Sequence, residues 1–135
     1  MALEVGDLEA AIEFYRSIFA FQEPEREPGM AFLDMGDQFL ALSAKRSAPP
    51  DDARHFGLVV DDKDAVRTAL AAAGVTASPP PRLDFRDPWG NSVQVVDYRD
   101  IQFTKTPAVL RGMGLEGLGK RDAALAELRA KGLVD

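Results

Sequence analysis

Phe85-Arg86-Asp87-Pro88-Trp89-Gly90-Asn91-Ser92-Val93-Gln94-Val95-Val96 is the stretch from which the rest of the chain can be read. At its centre, DPWGN has the chemistry of a tight turn. The proline ring sets one φ, and Gly90 is free to take a positive one. Leu83 to Arg86 before the turn and Ser92 to Tyr98 after it read as strands. Working back, His55 to Val60, HFGLVV, reads as a buried strand. Asp61-Asp62 start a helix that turns Val66, Ala69, Leu70 and Ala73 inward, and Gly74 is its expected left-handed stop. Pro79 to Pro81 make an extended break. Residues 54–99 therefore read strand, helix, strands.

Residues 1–46 repeat that order. Asp7 caps a helix expected to run to about Ala20. Leu8, Ala11, Ile12, Tyr15, Ile18 and Phe19 recur on one stripe of it. Phe14, Tyr15, Phe19 and Phe21 read as core. Pro24 to Pro28 is a charged break. Gly36-Asp37 then turns the chain between Phe32-Leu33 and Phe39 to Leu42, at the place that Gly90-Asn91 holds in the second half. SAPPDDAR, from Ser47 to Arg54, is the linker. A unit of ~45 residues is marginal alone, so the halves should share a core. The expectation is an α+β fold: two βαβββ modules (1–46 and 54–99) forming a curled mixed sheet around a cleft within one domain, 1–99. A C-terminal extension, 100–135, follows. There Thr106-Pro107 opens a short helix, GMGLEGLG is flexible, and Arg121 to Lys131 form a last helix with Leu125 and Leu128 on one face.

Composition narrows the function. Of 135 residues, 46% are hydrophobic and 28% charged, which excludes disorder as the main state. The net charge of -6 and the dispersed Lys and Arg argue against a nucleic-acid partner. No apolar run approaches the ~18 residues of a membrane span. The start, MALEVGDLEAA, lacks the basic and apolar regions of a signal peptide. With no Cys there is no disulfide, thiolate ligand or Cys nucleophile. A cytoplasmic protein is expected. The single His excludes a conventional triad, and GMGLEGLG has the spacing of neither the dinucleotide fingerprint nor the phosphate loop.

Leu3-Glu4-Val5-Gly6-Asp7-Leu8-Glu9 with Ala11, Phe14-Tyr15-Arg16 and Phe21 resembles the opening helix region of the glyoxalase, bleomycin-resistance and extradiol-dioxygenase (vicinal oxygen chelate) superfamily. His55 to Val60 resembles its second-module opening strand, and Phe85 to Asn91 its closing hairpin. The resemblance spans residues 3 to 99. It implies the fold, a cleft for a small molecule and a homodimer. Members with metal chemistry place one ligand near the start of each module's first strand and one on each module's last strand. Here those positions match His55 and Gln94 in the second module. In the first module they match a point before Met1, within a strand already underway, and Leu40 or Ala41, which cannot coordinate. An imidazole with a neutral amide oxygen is a poor ligand set for a divalent ion.

His55 therefore stands as a ligand contact or a structural strand-start residue, against the alternatives of metal ligand or base. Gln94 bonds a bound molecule or caps a polar spot inside the cleft. By alternation Gln94, Val96 and Tyr98 share one strand face, and His55, Gly57 and Val59 share another. His55, Gln94 and Tyr98 are the expected ligand-binding residues, in a mostly apolar cleft. Trp89 reads as a packing or dimer contact. Asp87 is explained by its turn, and Asp84 and Asp97 read as solvated. The expected function is a cofactor-free binder of a small apolar or amphipathic molecule. The alternatives are a divalent-metal lyase, isomerase or dioxygenase using His55 and Gln94, and an interaction protein that uses its tail.

Overall fold

The computed structural model describes residues 2–51 and 53–135. Met1, read as lying in the first strand, and Asp52, read as linker, are outside the described residues. The first module runs β1 (Ala2–Glu4), α1 (Leu8–Arg16), β2 (Glu25–Glu27), β3 (Met30–Asp34) and β4 (Phe39–Ser43). The second runs β5 (Phe56–Val60), α2 (Lys63–Ala72), β6 (Asp84–Arg86) and β7 (Ser92–Asp97). The tail holds α3 (Pro107–Gly112) and α4 (Asp122–Ala130). Two sheets result, ordered β1-β4-β3-β2 and β5-β7-β6. Each is mixed: the first strand of each module pairs in parallel with its last, and the remaining pairs are antiparallel. The fold is α+β, with mixed, unclosed sheets and C-terminal helices.

Local chemistry accounts for most element ends. The Asp7 carboxylate accepts from the Ala10 N–H at 2.8 Å and opens α1. Asp62 does the same for α2 through Asp64 and Ala65. Helix α1 ends at Arg16, short of the expected Ala20, where the Ser17 hydroxyl donates to the Phe14 carbonyl at 2.6 Å. Ile18 and Phe19 still reach the core from the turn that follows.

The structure corrects the reading in other places. The charged break contains a strand: β2 pairs with β3, with all three of its side chains exposed. Its backbone has the ladder to gain, and its charges stay wet at the sheet edge. In the second module the equivalent strand shrinks to one bridge, Ala77 with Phe85. The prolines at 79–81 remove the N–H donors a longer ladder would need. GMGLEGLG is a run of hydrogen-bonded turns, with Leu115 N–H donating to the Leu110 carbonyl and Leu118 N–H to that of Leu115. On α4 it is Ala124 and Leu128 that are buried, while Leu125 is half-buried.

One core serves both modules. Leu3, Ala31, Leu33, Leu40 and Leu42 from the first sheet cluster with Leu58, Val93 and Val95 from the second. Helix α1 and the turn after it join them: Phe14 and Phe19 lie 6.2 and 6.3 Å, ring centre to centre, from Phe85 of β6. Two carboxamides also cross the seam. Asn91 Nδ2 donates to the Glu4 carbonyl at 3.0 Å, and Gln38 Nε2 donates to the Val59 carbonyl at 2.5 Å. Trp89 packs down on Gly6, where an added Cβ would come within 2.6 Å of the indole nitrogen.

Candidate ligand-binding face

Alternation gives each sheet a helix-covered face and an open one. On the first sheet the register sets Met30, Phe32 and Asp34 beside Ser43, Ala41 and Phe39 on the open face. Glu27 and Glu25 flank them on β2, and Ala2 and Glu4 on β1. On the second sheet the open face carries Gly57 and Val59, paired with Gln94 and Val96, then Asp84 and Arg86. Phe39 is 60% exposed there. An aromatic ring left in water on a sheet, beside half-buried Phe32 and Met30, is the kind of apolar patch that marks a binding surface.

The three residues expected to bind a ligand do not converge. Gln94 is half-buried at the middle of the second sheet, between Gly57 and Asp84. His55 is exposed just before β5. It lines a cavity of about 370 Å³ with Glu4, Arg46, Arg54, Phe56 and Asn91, at the mouth of the linker. Glu4 is occupied there: its carboxylate accepts from the Ser47 hydroxyl and from the Ser47 and Ala48 N–H groups, which hold it below the ordinary carboxylate range. Tyr98 departs furthest from the expected cleft position. It is 3% exposed, and its hydroxyl accepts from the Lys105 N–H at 3.1 Å. The Lys120 ammonium stands 3.5 Å from its ring centre. The ring anchors the tail.

Asp97 also departs from expectation. It is 2% exposed rather than solvated. Burial alone would raise its pKa. The Arg99 guanidinium, donating through Nε at 2.8 Å and a terminal nitrogen at 2.7 Å, outweighs that, with help from the Lys63 and Arg99 N–H groups, and sets it at about 2. Asp87 is buried in its turn, as the turn reading requires, accepting from the Trp89 and Asn91 N–H groups.

The metal positions fail a test of fit. Ala41, opposite Ala2 and Phe32, offers only hydrocarbon. Gln94 offers a neutral oxygen, and His55 sits at the linker cavity. Among the described residues, no group of three or more His, Asp or Glu side chains is placed to hold a metal ion. These donors do not fit a divalent centre.

Residues 1–95 match the model of the family described as Glyoxalase/Bleomycin resistance protein/Dioxygenase superfamily. The chain belongs to this superfamily. It is similar to a lactoylglutathione lyase from Agrobacterium tumefaciens at 30% identity, over 73% of this chain and 90% of that one, with a TM-score of 0.57. The fold is shared with the fosfomycin resistance protein FosX of Listeria monocytogenes at 18% identity, over 72% and 88% of the two chains, TM-score 0.61. It is shared too with a glyoxalase/bleomycin resistance protein from Albidiferax ferrireducens at 18% identity, over 71% and 93%, TM-score 0.60. No helix among the described residues is long and apolar enough to cross a membrane. Within this superfamily member, Phe32 and Phe39, which the sequence reading took only as strand residues on either side of a turn, form the aromatic part of the open face. The alternation in Phe39 to Ser43, with Leu40 and Leu42 inward, was the available signal for Phe39.

Proposed function

We propose that this chain binds a small apolar or amphipathic molecule against the open faces of its two sheets, without a resident metal, as a cytoplasmic homodimer. Residues 1–99 are the binding domain, and 100–135 are an accessory extension. The observation that carries the reading is the open face itself: Phe32, Phe39, Ala41, Val59 and Val96 supply hydrocarbon, with the Gln94 carboxamide as a polar handle. A second copy covering this face would turn it into a cleft. His55 contacts the bound molecule from the rim. Tyr98 supports the site through the tail rather than lining it.

Calorimetric titration of Zn²⁺, Mn²⁺ and Fe²⁺ into the purified chain tests the metal-free reading. Stoichiometric binding tighter than about 1 μM, equivalent to ~8 kcal/mol, would overturn it. The similarity to a lactoylglutathione lyase favours one rival, a metal-dependent enzyme. In that case His55→Ala abolishes metal uptake; uptake unchanged in that variant ends the rival.

A further inference from the structure

A second cavity, of about 360 Å³, lies where the end of α1, the β3–β4 hairpin, β5 and the start of α2 meet. It shares no lining residue with the cavity that holds His55. Its walls include Ile18, Phe19, Met35 and Val66, and its roof is the tail, through Met113 and Leu115. The roof is fastened to the hairpin. Lys105, its side chain 4% exposed, is ion-paired with Asp37. The Met113 methyl rests on Gly36, where an added Cβ would come within 2.7 Å of it. The tail thus lies over a half-open space that it does not fill, apolar at Ile18, Phe19, Met35, Val66 and Met113 and polar at Gln38, Asp61 and Asp62.

We infer that this tail-roofed cavity is a binding site for a small hydrophobic amine, with its hydrocarbon body inside and its ammonium at the mouth. The volume is that of a small-molecule pocket, and thioethers in wall and roof let the surface re-pack around a guest. The polar groups at the cavity decide the head group. Gln38 is spent on Val59, donating to its carbonyl and accepting from its N–H. Asp62 is spent on the first turn of α2, with Arg99 at 4.0 Å. Asp61, exposed beside them, has no hydrogen bond or ion pair among the described residues. A free carboxylate beside an apolar wall attracts a cation and repels an anion. No Lys, Arg or His lines this cavity.

Three probes with one body isolate these terms: 1-adamantylamine, 1-adamantanol and 1-adamantanecarboxylate. They are titrated into the full chain carrying ¹³C-methyl methionine. Met35 and Met113 report the cavity, and Met30, on the open sheet face, is the internal control. The amine is expected to move Met35 and Met113 saturably, with Kd of about 1 mM or tighter, and to leave Met30 in place. The alcohol should bind at least threefold more weakly and the carboxylate not at all. Asp61→Asn should erase the preference for amine over alcohol, and Met113→Trp, which fills the space from the roof, should abolish both. His55→Ala and Gln94→Ala, whose side chains do not line this cavity, should leave the amine's shifts at Met35 and Met113 unchanged, so failure of the open-face reading leaves this result intact. Shifts at Met30 alone, equal binding of amine and carboxylate, or no saturation with the amine would each overturn the assignment.

Discussion

The Tyr15 hydroxyl donates to the Asp87 carboxylate at 2.8 Å, joining α1 of the first module to the turn of the second across 72 residues. Both partners are buried. Burial, then the Asp87 charge and the bond to it, raise the phenol's pKa well above the usual tyrosine range, so the proton stays on Tyr15 and the bond keeps its direction. Tyr15→Phe removes a donor from a buried carboxylate that keeps its other partners. The expected cost is about 1–2 kcal/mol. Asp87→Ala strips the turn of its acceptor and orphans Tyr15, for about 3 kcal/mol. Urea denaturation of the variants checks both values; equal stability of Tyr15→Phe and the parent would show the bond to be idle.

Asp97 makes stability depend on acid. Its folded pKa, about 2, lies below its unfolded value near 3.9, so its contribution is complete above pH ~4 and is lost as pH falls through about 2. The linkage is worth about 2 kcal/mol. Between pH 4 and 2, Asp97→Asn should therefore lose less stability than the parent, while being less stable at pH 7. Denaturation midpoints across that range measure it; parallel curves would refute it.

Gln38 stands in for a strand. Its amide donates to the Val59 carbonyl and accepts from the Val59 N–H at 3.4 Å, on the outer edge of β5. In Gln38→Ala the Val59 amide should exchange its hydrogen about tenfold faster, a local loss of ~1.4 kcal/mol, with little change elsewhere in β5. Residue-resolved exchange reads this directly.

Gly36 has φ of 101° and carries the Met113 methyl. Gly36→Ala strains the turn by about 1 kcal/mol and also pushes the tail away. If the contact matters, Met113→Ala should cost less in the Gly36→Ala background than in the parent. A thermal-melt double-mutant cycle with additive costs would deny it.

Phe39, 60% exposed, lies outside the core cluster of the single chain. Phe39→Ser should leave the denaturation midpoint within about 0.5 kcal/mol of the parent and weaken self-association. Sedimentation velocity at several concentrations checks this; a monomeric parent would remove the role proposed for a second copy.

The order strand, helix, strands, read twice, was legible because each part is written in local chemistry. Asp7 and Asp62 can cap because their side chains reach N–H groups two or three residues away. The Asp87 turn needs only its own five residues. The absence of carboxylate at Leu40, Ala41 and Gln94 is likewise visible in a string of letters. What stayed hidden depends on partners far along the chain. Asp97 looks like any strand-end acid until α2 and Arg99 close over it. Tyr98 follows the alternation of its strand on paper, yet the tail claims it. Charged Glu25 to Glu27 become a strand because β3 lies beside them, not because of their own propensity. Sequence by itself determined the repeat, the turns and the meagre donor set, since these rest on contacts within a few residues. Only the tertiary structure decided which faces stay open, where cavities lie and what the tail covers, because burial is a property of everything that packs against a residue.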